Sequence, residues 1–285
     1  MKILMIGAHQ DDNEFNCGGL AVKFVKAGHE VRFLSMCNGC GGHHIMTPEE
    51  TTARRAKESR AVAEYLGVTY DVWDIDDCSL VADLPTRRRL IVYIRNFAPD
   101  LIITHRTCDY HADHRAVGQL VQDASYLLIV PHECPQAPAL KKTPVIMYAE
   151  DEYVYTHPVF RPDYVFDIGE EVETKIGALA LNDSQVYEWL PYTEGIEDQV
   201  PEGEAERFAW LRGEEITEDM TDEEILALKR GYLGRFAKSA ARFRQQLIAR
   251  YGEERGKKVR FAEGYEVCEY GGAVTPELEK ELRSF

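Results

Sequence analysis

The sequence predicts an α/β fold, with a mostly parallel sheet between two layers of helices. Three observations carry this. Short apolar runs alternate with helix-length amphipathic segments through the first 130 residues. Glycine and proline fall where such units should stop, at Gly28, Gly67 and Pro99. The 285 residues are 45% hydrophobic and 29% charged, a globular composition long enough to bury a large core without disulfides.

The elements follow in order. Residues 2–7 are an apolar first strand. Gly18-Gly19 opens a helical stretch through Val22, Phe24 and Val25 that stops at Gly28. Residues 30–36 are a second strand, followed by a glycine- and histidine-rich loop over 37–44. Thr47-Pro48 is a helix start, with Thr as N-cap and Pro at the first position, and the helix runs to Leu66. Residues 70–73 form a third strand and 85–97 a helix. Residues 101–104 form a fourth strand and 112–129 a helix. Right-handed crossovers between parallel strands then place helices on both faces, a Rossmann-like three-layer α/β/α arrangement. Residues 145–148 and 164–167 are candidate edge strands, and 170–188 reads as helical. Residues 188–224 hold 14 acids against Arg207 and Arg212. Apolar residues within this segment and just after it, Phe208, Trp210, Leu211, Ile225, Leu226 and Leu228, argue for a solvated helical insertion, with a lid or a homo-oligomer contact as the alternative. The whole chain, 1–285, reads as one domain carrying this insertion.

Charge and cysteines narrow the partners. There are 33 basic residues against 49 acidic ones, a net charge of −16. Such a surface repels phosphate backbones and anionic membranes, so neither nucleic acid nor membrane is expected. The seven cysteines are scattered and odd in number, which suits a reducing compartment. The apolar run at 2–7 is too short for a signal-peptide core, so the cytosol is the expected location.

In open α/β sheets ligands bind beyond the carboxyl ends of the strands. Two clusters lie there. Ala8-His9-Gln10-Asp11-Asp12-Asn13-Glu14 follows the first strand, and Asp109-Tyr110-His111-Ala112-Asp113-His114 follows the fourth. Imidazole plus carboxylate suits Zn2+ or Fe2+, and three protein ligands with an open position is the catalytic arrangement. Adjacent aspartates in a dry site resist joint ionisation. A cation on one relieves this and leaves the other as a base. Helix capping would explain Asp11, Asp12 and Asp113, but not three histidines together.

These residues resemble a known family. Ala8-His9-Gln10-Asp11-Asp12-Asn13-Glu14 with Cys17-Gly18-Gly19 is similar to the AHPDDxE…GG signature of the LmbE-like, or PIG-L, N-acetylglucosaminyl deacetylases. His111-Ala112-Asp113-His114 resembles their HxDH signature. Further matches are the R-x-x-E…LG helix (Arg55, Glu58, Leu66-Gly67), the K…A…SQ helix (Lys175, Ala178, Ser184-Gln185) and the ending Ala262-Glu263-Gly264-Tyr265-Glu266-Val267. The resemblance implies His9, Asp12 and His114 as metal ligands and Asp11 as general base. It implies His111 as acid and oxyanion stabiliser, with Asp113 orienting it and raising its pKa. Arg55 and Asp77 would contact the sugar. The implied activity is Zn2+-dependent removal of an N-acetyl group from an N-acetylglucosamine-type conjugate, with Fe2+ as the other candidate ion. Gln10 departs from the family's proline, and Asn182 stands where its SQ helix often has histidine.

Other residues admit plainer roles beside functional ones. His43 and His44 are substrate-contact candidates on the 37–44 loop, against simple loop polarity. Cys37-Asn38-Gly39-Cys40 has no second cysteine pair for a zinc knuckle and no helix start behind it for redox use, so it reads as a loop lining the site. His105 and Arg106 edge the second cluster, with strand-end capping the equal alternative. Two rivals stand beside the deacetylase reading. One is a metal-dependent hydrolase of another acylated amine. The other is a non-catalytic sugar- or nucleotide-binding module, against which the missing G-x-G-x-x-G counts.

Overall fold

The computed structural model describes residues 1–285 except Glu152, Val154 and Thr156. Among the described residues, seven strands form one sheet: β1 (Lys2–Gly7), β2 (Glu30–Cys37), β3 (Thr69–Ile75), β4 (Leu101–Thr104), β5 (Val145–Ala149), β6 (Tyr164–Asp167) and β7 (Ala262–Val267). Their order is β3-β2-β1-β4-β5-β7-β6. The first five pair in parallel, and β7 runs antiparallel to both β5 and β6.

Twelve α-helices among the described residues accompany them: α1 (Asp12–Lys26), α2 (Pro48–Leu66), α3 (Leu84–Phe97), α4 (Ala112–Ser125), α5 (Val172–Ala180), α6 (Leu190–Glu194), α7 (Glu204–Arg212), α8 (Asp222–Ala227), α9 (Tyr232–Arg242), α10 (Arg244–Tyr251), α11 (Glu253–Lys258) and α12 (Pro276–Ser284). No helix among the described residues is long and apolar enough to cross a membrane.

Alternation along the central strands sorts side chains to two sides. Ile3, Met5, Phe33, Leu101 and Ile103 join Leu20 and Phe24 of α1, Val62 of α2 and Leu278 of α12. Leu4, Ile6, Leu34 and Ile102 join Leu90 and Ile94 of α3 and Leu120 of α4. Each such side chain, fully buried, contributes about 1.5–3 kcal/mol. Both faces are covered, so β1 and β4 read as continuous apolar runs.

The start of α2 is as the sequence predicts. Thr47 and Glu50 form a reciprocal capping box, and Gly67 closes the helix at φ 72°. Other boundaries differ. The first helix begins at Asp12, not at Gly18, and Gly18-Gly19 lies inside it. A Cβ at Gly19 would stand 2.7 Å from Ile168 Cγ2 and 2.9 Å from Glu263 Oε1. The glycines are there for close approach. Glu263 accepts the Gly19 and Leu20 amides at 2.7 and 2.8 Å, the Lys175 ammonium at 2.6 Å and the Tyr265 hydroxyl at 2.7 Å.

The expected helix over 170–188 is interrupted after Ala180. Asn182 donates to Glu14 at 3.0 Å, the Ser184 amide and hydroxyl donate to Glu58 at 2.8 and 2.7 Å, and Gln185 donates to the Gly42 carbonyl at 2.9 Å. These tertiary partners outcompete the local helix ladder. The expected helix over 112–129 ends at Ser125, and 126–129 tighten into a 3-10 turn. The acidic segment is helical in part, but Leu211 and Ile225 are buried, so it is a packed element rather than only a solvated one.

Candidate active site

The parallel register places Ile6 beside Thr104. The loops leaving β1 and β4 therefore emerge together, although 98 residues separate those partners in the chain. The first loop turns at Asp11, whose φ of 141° is a region L-residues rarely adopt. Hydrogen bonds to the next side chain hold this local strain. Asp12 Oδ2 accepts the Ala8 and His9 amides at 2.9 and 2.7 Å. The turn thus uses Asp12 as its anchor.

Asp12 Oδ1 lies 3.2 Å from His114 Nε2, and Oδ2 lies 3.5 Å from His9 Nδ1 and 3.1 Å from His105 Nε2. Burial alone would raise Asp12, but the charges of His114 and His105 hold it well below the usual carboxylate range. Burial would lower His9 and His114. Asp113 and Asp12 instead raise His9 to about 10, and Asp12 with Asp109 raises His114 to about 10. The pocket is built for positive charge. The donor atoms of His9, His111 and His114 lie within 4.8 Å of one another, and so do those of Asp12, His105 and His114. His9, Asp12 and His114 are drawn from these two overlapping groups, and their two imidazoles and one carboxylate fit a divalent ion. The His114 ring is oriented by Asp109, 3.0 Å from its Nδ1, the carboxylate–histidine pairing that supports metal ligands.

Asp11 sits beside this group. Its Oδ1 is 3.3 Å from the Arg55 guanidinium. Burial raises it most, Arg55 opposes and Asp12 adds, leaving it near 6.

His111 is the N-cap of α4, its Nδ1 accepting the Asp113 amide at 3.1 Å. The neutral ring then carries its proton on Nε2. It stands 4.8 Å from the His9 ring, edge on, and 5.0 Å from that of His114. Asp113 lies closer to His9, at 3.1 Å from Nε2, than to His111 Nδ1, at 3.9 Å. It also accepts the Cys78 and Leu80 amides at 2.7 and 3.3 Å. Asp113 acts to raise His111, as expected, but it is outweighed. Burial first, then His9 and His114, set His111 below its ordinary value.

The four substrate-contact candidates border this cluster or the loop beside it. Arg55 is 2% exposed and donates to the Gln10 carbonyl while pairing with Asp11. Asp77 accepts the Gly39 and Gly41 amides at 2.9 and 3.1 Å and so shapes the loop after β2. His43 pairs with Glu188 at 2.7 Å, and its Nδ1 accepts the Ile45 and Met46 amides. His44 stacks on Tyr192 at 3.9 Å. Cys37 lines the site wall with its Sγ 3.8 Å from Asp113, and all seven cysteines are free. Asp109 carries no role in the sequence reading, although its spacing five residues before His114 marks it. His105 stands there only at the edge of the cluster. Its stacking on His114, at 4.0 Å and 11°, needs the fold.

Comparison with known proteins adds to this geometry. Residues 4–125 match the PIG-L family, GlcNAc-PI de-N-acetylase. Over 198 residues the chain is 26% identical to the 4-oxalmesaconate hydratase of Pseudomonas putida, covering 67% of this chain and 76% of that one. Over 202 residues it is 28% identical to the diacetylchitobiose deacetylase of Thermococcus kodakarensis, covering 67% and 74%. The crystal structure of a 4-carboxy-2-hydroxymuconate hydratase from Pseudomonas putida KT2440 shares its fold, with a TM-score of 0.67 at 19% identity over 93% of this chain and 95% of that one.

Proposed function

We propose, with residues 4–125 matching the PIG-L family, that this chain is a metal-dependent deacetylase acting on an N-acetylglucosamine-type conjugate. His9, Asp12 and His114 would hold a divalent ion, Zn2+ or Fe2+. The observation that carries this reading is the contact of two imidazoles with one carboxylate, while a second carboxylate, Asp11, stands beside them engaged by an arginine instead. Held there, such an ion would lower the pKa of a water and polarise the amide carbonyl.

The chain's own groups do the rest. Asp11 takes the proton of the attacking water, and Arg55 holds its carboxylate in place. His111 has its Nδ1 occupied by the helix amide, so its Nε2 is the proton-bearing atom. That N–H donates to the charge developing on the amide oxygen, and the proton that Asp11 takes from the water passes on to the leaving amine. Asp113 and Asp109 orient His9 and His114 respectively. Asp77 and His43 shape the loop beside the substrate, and His44 offers it a ring. Seven free cysteines support a reducing compartment.

Amine release from a panel of N-acetylglucosamine conjugates, with and without chelator, tests this. The expected result is amine and acetate in equal amounts, lost with chelator and restored by Zn2+. Release of no amine from any acylated sugar or amine would overturn it. A second reading, addition of water to an unsaturated dicarboxylate, is favoured by the hydratase relative. Loss of ultraviolet absorbance from such a compound, without amine release from any amide, would select it.

A further inference from the structure

The first turn of α9 presents two polar groups to the beginning of α1. Tyr232 and Arg235 are three residues apart on that helix and share a face. Phe15 lies against both. Its ring is 5.3 Å from that of Tyr232 at 78°, and the Arg235 guanidinium stands 4.5 Å over it. Phe15 donates its amide to the Asp11 carbonyl at 2.9 Å, so it sits one helical turn beyond Asp11. The two groups also reach the site electrostatically. Burial raises the Tyr232 phenol most, and the opposed charges of Arg235 and Asp11 both act on it. Burial likewise dominates at Tyr110, where Asp12, Asp109 and Arg235 all act. The Tyr110 ring is 5.3 Å from that of His114.

Neither group has a hydrogen-bond or ion-pair partner among the described residues. That sets Arg235 apart from its neighbours. Arg54 is held by Glu188 and Asp183, Arg55 by Asp11, Arg106 by Asp151 and Arg207 by Asp183. With 49 acids in the chain, carboxylates are plentiful, yet Arg235 is exposed and engages none among the described residues. Stacking on Phe15 uses the face of the guanidinium and orders it. The N–H edges stay available, and those edges match a carboxylate or phosphate. The turn itself is fixed. Gly231 starts α9 at φ 86° and crosses Gly213, where a Cβ on either would strike the other's backbone. Leu233 and Phe236 pack on Ile168 and Ile176.

We infer that Arg235, with the Tyr232 hydroxyl, is an oxyanion-binding subsite, and that the substrate is an anionic amide conjugate rather than a neutral sugar. The amide part rests on the deacetylase reading. The anion part does not.

Amine release is compared for methyl N-acetylglucosaminide, N-acetylglucosamine 1-phosphate and the carboxylated N-acetylmuramic acid. Wild-type enzyme should favour one charged compound by roughly 10- to 100-fold in kcat/KM, the scale of a charge-assisted hydrogen bond. Which compound is favoured identifies phosphate or carboxylate. Arg235→Gln should collapse that ratio through KM, whereas Lys229→Gln, a nearby exposed cation, should not. No charge preference in wild type, or the same preference in Arg235→Gln, would overturn the subsite. A second measurement does not need turnover. Inorganic phosphate and succinate are titrated into metal-loaded wild type and Arg235→Gln and followed by calorimetry. Binding of either that is lost in the variant supports the subsite even if no amide is cleaved, in which case only the deacetylase reading falls. Amine release with anion binding indifferent to Arg235 removes the subsite alone.

Discussion

Two buried charge clusters use similar residue types to opposite ends. Around Glu263 every group is answered. Its two oxygens take the Gly19 and Leu20 amides, the Lys175 ammonium and the Tyr265 hydroxyl, and Lys175 also lies over the Phe236 ring at 3.9 Å. Around Asp12 the balance is left open. Its Oδ2 is filled by backbone amides and His105, its Oδ1 meets His114, and His9, His111 and His114 crowd the same space. A closed cluster fixes position, here the packing of α1 against α5 and β7. An open one holds ligand atoms ready for something else. The difference lies in donor count against acceptor count, not in composition or depth.

If that contrast is right, mutations should separate by readout. His114→Ala should take bound metal from one equivalent to near none while the protein stays folded, as elemental analysis and circular dichroism would show. Unchanged metal would mean the open cluster is not a metal site. Asp11→Asn should keep its metal and lose roughly 10²–10⁴-fold in turnover, the usual worth of a positioned base. Metal lost together with activity would make Asp11 a ligand instead. His111→Ala should keep metal and lose roughly 10²–10³-fold in turnover, as for other oxyanion donors. A lowered melting temperature with near-native turnover would reduce His111 to the helix cap that it also is.

The closed cluster should respond in stability and not in chemistry. Glu263→Ala strands a buried ammonium and two helix amides, so it should cost about 3–5 kcal/mol in denaturant unfolding. A neutral result would mean that water or a neighbour takes over those donors.

The smallest effect concerns an intermediate case, Glu150, which is raised to about 7 by burial, offset in part by Ser239 and Arg242. Its folded value lies above its ordinary 4.5. The native state therefore holds the proton more tightly, and stability falls as pH rises from about 4.5 through 7. Glu150→Gln should flatten that fall, gaining about 2–4 °C at pH 8 relative to pH 5. An equal shift at both pH values would remove the titration account.

Much of this was legible in the chain. Short apolar runs announced β1, β4 and β5, since a strand buried on both faces must be continuously apolar. Gly67 and the Thr47–Glu50 pair marked the limits of α2, because capping is local. His9, Asp12, His111 and His114 stood out because both clusters follow strands whose carboxyl ends a parallel sheet gathers. Strand β7 was legible only as a family motif, because it pairs with β5 across more than 100 residues and enters the sheet antiparallel between β5 and β6.

What the sequence determined alone was therefore what short-range physics governs: periodicity, caps, and which residue types stand beyond which strands. The tertiary structure decided the rest. That α1 begins at Asp12 depends on a turn anchored by one carboxylate. That Gly18-Gly19 belongs inside a helix depends on Glu263, 244 residues away. That Asp113 braces His9 more closely than His111, that His105 joins Asp12, and that Arg235 arrives over the Phe15 ring are outcomes of packing distant segments together. Such contacts leave no periodic trace in the chain, because their energies arise between residues that only the folded state makes neighbours.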